Sequence, residues 1–440
     1  MRPLYFLLKF TLKITLWVYY PRFKNINPPK KRFSRTIFMC NHASSFMDPL
    51  VIASSQKPIV FFMTRSDVFT PLLKPILWAA HMLPIYRKHD GEDTKKKNEE
   101  VFEKCASILK FGRGLIVFSE GFTDDVFVRR LKPVKKGAVR IGFLALERIN
   151  WKKKIYVQGV GVNYSDPKVL GSDCLISNAE PVCLNDFKEA FEEDPNKTIH
   201  ELTMRLEEDM RNQITDVRDL DFTDFHEHVM RLTRKGMHNK DADKSKTLIA
   251  RWKYSKRLAD WMNERDLKEN TQILKLKNRL SQYFDRLNEV QIEEHILYKT
   301  IRNKRNRSQE LFFLITLSPI VVVGLLLNYL PYKLIKNFVE KSFKRPVFWS
   351  SVKMLLGAVA VFVYNLILAV LVAFIFDTSL FPILLIGLFI IPLSGVITRN
   401  WFDTLSEFKK LKRAQNLNHS ALAMERDELL STIYKLIPVA

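Results

Sequence analysis

Between Phe38 and Leu50 the chain reads FMCNHASSFMDPL, which sets an Asn-His pair at the end of an apolar, β-prone run and a carboxylate, Asp48, six residues after His42. Histidine has an ordinary pKa of about 6.5, so it can accept a proton near neutrality. A carboxylate on its far ring nitrogen fixes the tautomer and supports the imidazolium that forms. Such a pair could activate an alcohol for attack on an activated acyl donor. The bland alternative is a polar strand end whose aspartate caps a helix or pairs elsewhere. Cys40 lies two residues before His42, and a small buried apolar residue is the better reading of it than a thiol nucleophile.

Three further stretches carry groups that could serve the same chemistry. In MLPIYRK, Arg87 follows a β-prone Pro-Ile-Tyr, and a guanidinium at a strand end can grip a phosphate through two parallel hydrogen bonds, unless it is simply solvated. In IVFSEG, Glu120 could bind a substrate hydroxyl or hold a basic residue, while Gly121 permits a tight turn with positive φ. In LKPVKKGAVRIGF, Lys135 and Lys136 precede a helix-prone run, where backbone donors and positive charge make an anion site or merely a basic turn.

The elements that must position these groups are legible as alternation. From Arg35 to Pro181, β-rich runs at TIFMC, PIVFFM, GLIVFS and KIYVQGVGVNY alternate with helical patterns such as DTKKKNEEVFEKCASILKF. A mixed or mostly parallel sheet flanked by helices follows, with its site in loops at the carboxyl ends of strands. TIFMC-NH and GLIVFS-EG both fit that geometry.

Taken in order, Asn-His with a downstream Asp, Pro-Ile-x-Arg, Phe-x-Glu-Gly and Lys-Pro-x-Lys-Lys-Gly resemble the PlsC-type glycerolipid acyltransferases over roughly residues 30 to 185. The resemblance implies that His42 is the general base, Asp48 orients it, Arg87 binds the acceptor phosphate, and Glu120 with Gly121 belongs to the acceptor site; Lys135 and Lys136 would help hold the phosphate. It implies acyl-CoA or acyl carrier protein as co-substrate, and no metal, flavin or nucleotide cofactor. The acceptor would be glycerol-3-phosphate, with lysophosphatidate or dihydroxyacetone phosphate as alternatives. This chain departs from the pattern in places. Five residues, Ala43 to Met47, separate His from Asp where most members have four, as in a subset that includes fungal glycerol-3-phosphate and dihydroxyacetone-phosphate acyltransferases and some bacterial relatives. Residues six apart do not share a helix face, so a turn or bulge must absorb the insertion. Ser119 replaces a usual Pro, Phe122-Thr123 a usual Thr-Arg, and Gly161 a Pro between valines; Arg129 or Arg130 could substitute for the missing arginine.

Composition places this chemistry at a membrane. The chain has 440 residues, a net charge of +23 and 47% hydrophobic residues. Its four cysteines, Cys40, Cys105, Cys174 and Cys183, match neither a zinc pattern nor a disulfide framework, which suits a reduced, cytoplasm-facing domain. The expected organisation is an interfacial or membrane-anchor helix (1–30) with Lys9 and Lys13 snorkelling, an α/β acyltransferase domain (31–190) and a charged helical region (191–308). A membrane region (309–400) and a cytoplasmic helical tail (401–440) follow. In the charged region Leu276, Leu280, Tyr283, Leu287 and Val290 mark one buried stripe. Within the membrane region, 352–376 and 380–397 read as a transmembrane hairpin, and 311–330, basic on both flanks and containing Pro319 and Gly324, as a re-entrant or interfacial segment. The basic residues flank membrane segments and lack interleaved aromatics, so membrane lipids are the expected partner and nucleic acid is not. A catalytically degenerate membrane scaffold is the rival to the enzyme.

Overall fold

The computed structural model describes residues 2–29, 35–56, 59–71, 73–86, 94–302, 307–416 and 419–440. They form two compact units, Met1–Arg218 with Thr247–Asp260, and Asp219–Lys246 with Trp261–Ala440.

The first unit is built on a mixed sheet. Its strands are β1 (Arg22–Ile26), β2 (Arg35–Cys40), β3 (Val60–Arg65), β4 (Met82–Ile85), β5 (Gly114–Phe118), β6 (Ile155–Tyr164), β7 (Asp173–Asn178) and β8 (Val182–Cys183), in the order β1-β7-β6-β2-β5-β3-β4 with β8 beside β6. The pairs are parallel except where β6 meets β7 and β8. Parallel neighbours need a crossover. The chain supplies α2 (Met47–Ser55) between β2 and β3, α3 (Lys74–Ala79) between β3 and β4, α4 (Thr94–Lys110) between β4 and β5, and α5 (Gly137–Arg148) between β5 and β6. Val101, Cys105 and Leu109 of α4 and Val139, Phe143 and Leu146 of α5 share a core with Ile37, Met39, Leu115 and Val117. Phe38 and Cys40, which point to the other face of β2, are buried too. Burial on both faces is why TIFMC reads as one continuous apolar run. Helices α6 (Lys188–Glu193) and α7 (Pro195–Arg211) follow β8.

The amino-terminal segment is more than an anchor helix. Helix α1 (Arg2–Tyr19) buries Tyr5, Leu16 and Tyr19 and leaves Leu7, Phe10, Ile14 and Trp17 exposed as a stripe. The Lys9 ammonium is bonded to the Gln56 carbonyl at the end of α2, so it does not snorkel as expected, whereas Lys13 is exposed. After Pro21, residues 22–26 pair in parallel with β7 as the sheet's edge strand, secured by Arg22 Nε on Asp173 Oδ1 at 2.5 Å.

The second unit is helical: α8 (Thr223–Thr233), the end of α9 (Leu248–Asn263), α10 (Thr271–Glu289), α11 (Glu294–Ile301), α12 (Arg307–Ser342), α13 (Trp349–Ile375), α14 (Leu380–Leu385), a π-helical turn at Ile386–Ile390, α15 (Ile391–Gln415) and α16 (Ser420–Leu436). The stripe on α10 is buried at Leu276, Leu280, Tyr283 and Leu287, but Val290 lies past the helix end and is exposed. Among the described residues, Ser308–Ser342, Pro346–Ile375 and Leu380–Gln415 are long and apolar enough to cross a membrane. Segment 311–330, expected as re-entrant or interfacial, lies inside one unbroken helix that contains Pro319 and Pro331. Its close neighbour is α15: Trp401 Nε1 donates to Leu314 O at 2.8 Å, and Asn328 Nδ2 to Ile391 O and Ser394 Oγ at 3.2 Å. Lys299 pairs with Glu407 and Arg286 with Glu425, so the chain before α12 meets the chain at and beyond the end of α15.

Candidate active site

Strands β2 and β5 lie side by side with Cys40 opposite Phe118, so the two polar pairs that follow them emerge together. Asn41 extends the sheet with its side chain, donating to Val162 O at 3.1 Å and accepting from Val162 N at 2.7 Å. That amide fixes the path by which the chain leaves β2. His42 comes next, its backbone N–H on Glu120 Oε1 at 2.8 Å and its ring stacked on Phe118, centroids 4.4 Å apart.

The five-residue insertion is absorbed in a turn. Ser45 adopts a left-handed φ of +48°, Met47 N bonds Ser44 O at 3.0 Å, and α2 begins at Met47. Asp48 is thereby swung back under the histidine, with Oδ2 3.0 Å from His42 Nδ1. The same oxygen accepts from Ser44 N at 2.8 Å, and Oδ1 accepts from the Tyr164 hydroxyl at 2.8 Å. With Nδ1–H donating to Asp48, Nε2 is the ring nitrogen left to take a proton. Asp48 is fully buried, whereas the His42 ring is 19% exposed and borders a cleft with Ala43, Glu120, Asp124, Val126, Val128, Arg130 and Lys132.

Around that cleft the charges are shared out locally. Lys132 is buried, donates to Phe122 O at 3.0 Å, and lies 3.6 Å from Glu120 Oε2 and 3.2 Å from Asp124 Oδ2. Arg130 reaches the same Asp124 oxygen at 3.4 Å. Burial pushes the Glu120 carboxyl above its ordinary range, opposed by the His42 N–H and by Lys132. Arg129, the other candidate substitute for the missing arginine, is turned inward and spends its guanidinium on Tyr164 O at 2.7 Å and Ser165 O at 3.4 Å. Cys40 is fully buried, and burial together with Asp48 pushes its thiol well up, which suits the apolar reading and not a nucleophile.

The motif residues are thus only partly brought together. His42, Asp48 and Glu120 converge. Gly121 has φ of +81°, the left-handed region that favours glycine, and the Lys135 side chain lies over it. Lys135 is exposed and Lys136 is the residue preceding α5; neither lines the cleft with His42. Arg87 lies outside the described residues. Tyr164 and Lys132 had no assigned role from sequence. Lys132 was signalled by the Lys-Pro of its motif, and Tyr164 only by standing at the end of a β-run.

Comparison with known proteins bears on the first unit. Residues 24–162 match the family model described as Acyltransferase. No curated protein matches the chain. Among solved structures, the crystal structure of the 1-acyl-sn-glycerophosphate (LPA) acyltransferase PlsC from Thermotoga maritima is similar over 46% of this chain and 77% of that one, at 19% identity and a TM-score of 0.32. The matched residues 24–162 carry the His42–Asp48 pair, Glu120 and the Lys132 segment.

Proposed function

We propose that this protein is a membrane-bound glycerolipid acyltransferase that moves a fatty acyl group from acyl-CoA or acyl carrier protein to glycerol-3-phosphate. The observation that carries the reading is the His42–Asp48 pair, 3.0 Å apart, at the carboxyl end of the central strand and beside a cleft with two cations. His42 Nε2 takes the proton of the acceptor hydroxyl as its oxygen attacks the thioester carbonyl. The C–S bond then breaks, and the thiolate leaves with the proton held on the imidazolium. General-base help of this kind is worth about 10² to 10⁴ in rate.

Arg130 and Lys132 take the acceptor phosphate, and Arg87 keeps the phosphate role that motif order gives it. Lys135 and Lys136 add positive field from outside the cleft. Glu120 acts mainly by holding the His42 backbone, since one of its oxygens is taken by that N–H. No cofactor beyond the acyl carrier enters this scheme.

The exposed apolar stripe of α1 lies on the bilayer surface, and the apolar lengths of α12, α13 and α14–α15 are embedded. The ion pairs joining the chain before α12 to the chain at and beyond the end of α15 support a return to one side, which takes an even number of complete crossings. The basic flanks put that side, with the acyltransferase unit, in the cytoplasm.

Purified protein given one labelled acyl thioester and, in turn, glycerol-3-phosphate, lysophosphatidate and dihydroxyacetone phosphate should label the glycerol-3-phosphate product most. Preference for lysophosphatidate would replace this acceptor with the second one. Transfer to none of the three would sink the reading.

A further inference from the structure

We infer that Tyr164 is the positioning residue of the His42–Asp48 pair, its hydroxyl fixing the carboxylate that the Ser45 turn brings beneath the ring. The inference rests on the reading of His42 as the base, and goes beyond it.

The geometry is specific. Asp48 sits on a turn with a left-handed serine, in the first turn of α2, where the carboxylate could rotate about χ1 and χ2. Ser44 N holds the oxygen that also faces His42, so it does not fix the plane of the carboxylate; Tyr164, on the other oxygen at 2.8 Å, does. Tyr164 ends β6, whose neighbour β2 delivers His42, so one sheet sets both the base and the brace. The phenol cannot wander: Tyr164 is fully buried, its ring lies against Tyr20 and Phe127, and Arg129 grips its carbonyl. Burial and the Asp48 charge push the Tyr164 phenol well up, so it remains a donor.

A donor on Oδ1 withdraws charge from the carboxylate. Its removal concentrates charge facing Nδ1, which favours the protonated ring and frees the carboxylate to rotate. The other charged groups around the ring, Glu120, Lys132, Arg130 and Asp124, are the same in wild type and variant, so a displaced titration reports the missing hydroxyl.

The test compares Tyr164→Phe with the wild-type chain in one membrane preparation. Tyr20→Phe serves as control, because it removes a neighbouring buried hydroxyl, bonded to Pro167 O at 3.1 Å, that does not touch Asp48. Acyl transfer is followed against pH, and the His42 ring titration by NMR of isotope-labelled histidine, assigned by difference with His42→Gln. Tyr164→Phe should lower kcat about tenfold with both KM values within about twofold of wild type. It should also move the acid limb and the ring titration to higher pH, while Tyr20→Phe moves neither. Tyr164→3-fluorotyrosine, a stronger donor of nearly the same shape, should move the titration the opposite way, which keeps the test decisive if Tyr164→Phe does not fold. An unmoved titration in the Tyr164 variants, or an equal displacement in Tyr20→Phe, overturns the inference. A displaced titration in Tyr164→Phe, with a wild-type chain that itself transfers no acyl group, would leave the brace standing and remove the acyltransferase reading instead.

Discussion

Two aspartates of the first unit, Asp48 and Asp173, are both fully buried, yet their surroundings differ in kind. Asp173 lies between two guanidiniums, Arg22 at 2.5 Å and the fully buried Arg251 at 2.6 Å. Asp48 is held by neutral donors, the Ser44 amide and the Tyr164 hydroxyl, and faces the His42 ring. A carboxylate already neutralised by two cations has little field left for a neighbour. One held by amide and phenol dipoles keeps its charge for an imidazolium. The first ties the edge strand β1 and helix α9 to β7, and the second is free to serve proton transfer.

That contrast can be broken from either side. Asp48→Asn should lower kcat by about 10² to 10⁴ while the denaturation midpoint changes little, because the amide oxygen can still accept from Ser44 N while its NH2 donates to the Tyr164 hydroxyl oxygen. Arg251→Ala should do the reverse. Leaving Asp173 with one guanidinium costs about 3–5 kcal/mol of stability, read by denaturant unfolding, with kcat per folded molecule unchanged. A large loss of kcat in Arg251→Ala, at equal folded fraction, would erase the distinction between the two sites.

The smaller effects sharpen it. Arg130→Ala should raise the KM for a phosphorylated acceptor about tenfold and leave kcat nearly intact; an unchanged KM removes Arg130 from the phosphate site. Ser45→Gly should relieve about 1 kcal/mol of left-handed strain and retain activity, since the turn itself survives. Loss of activity in Ser45→Gly would mean that the serine side chain, and not the backbone turn, positions Asp48.

The strand ends and the His-Asp pair were legible because their signals are local: an apolar run buried on both faces, then polar residues in fixed order. The spacing also demanded a turn before Asp48, though nothing in it pointed to Ser45. Tyr164 was not legible, because it meets Asp48 across 116 residues of sequence and only the register of β6 brings it there. The helix start before α5 drew attention to Lys135 and Lys136, whereas the loop brings Lys132 and Arg130 to His42. Residues 22–26 were hidden behind the apolar helix that precedes them, since a five-residue edge strand has little period of its own. Pro319 and Gly324 read as a break in 311–330, yet the helix continues, and Gly324 lies where α15 approaches at Ser394 and Thr398. Prolines within apolar helices are tolerated where neighbouring helices satisfy the freed backbone.

The most direct test is transfer from a labelled acyl thioester to glycerol-3-phosphate by the wild-type chain and by His42→Ala, compared at equal amounts of folded protein. Rapid formation of acylated glycerol-3-phosphate by the wild type, and loss of at least about 10²-fold in His42→Ala, is the predicted result. Equal rates in the two proteins would contradict the assignment of His42 as the base.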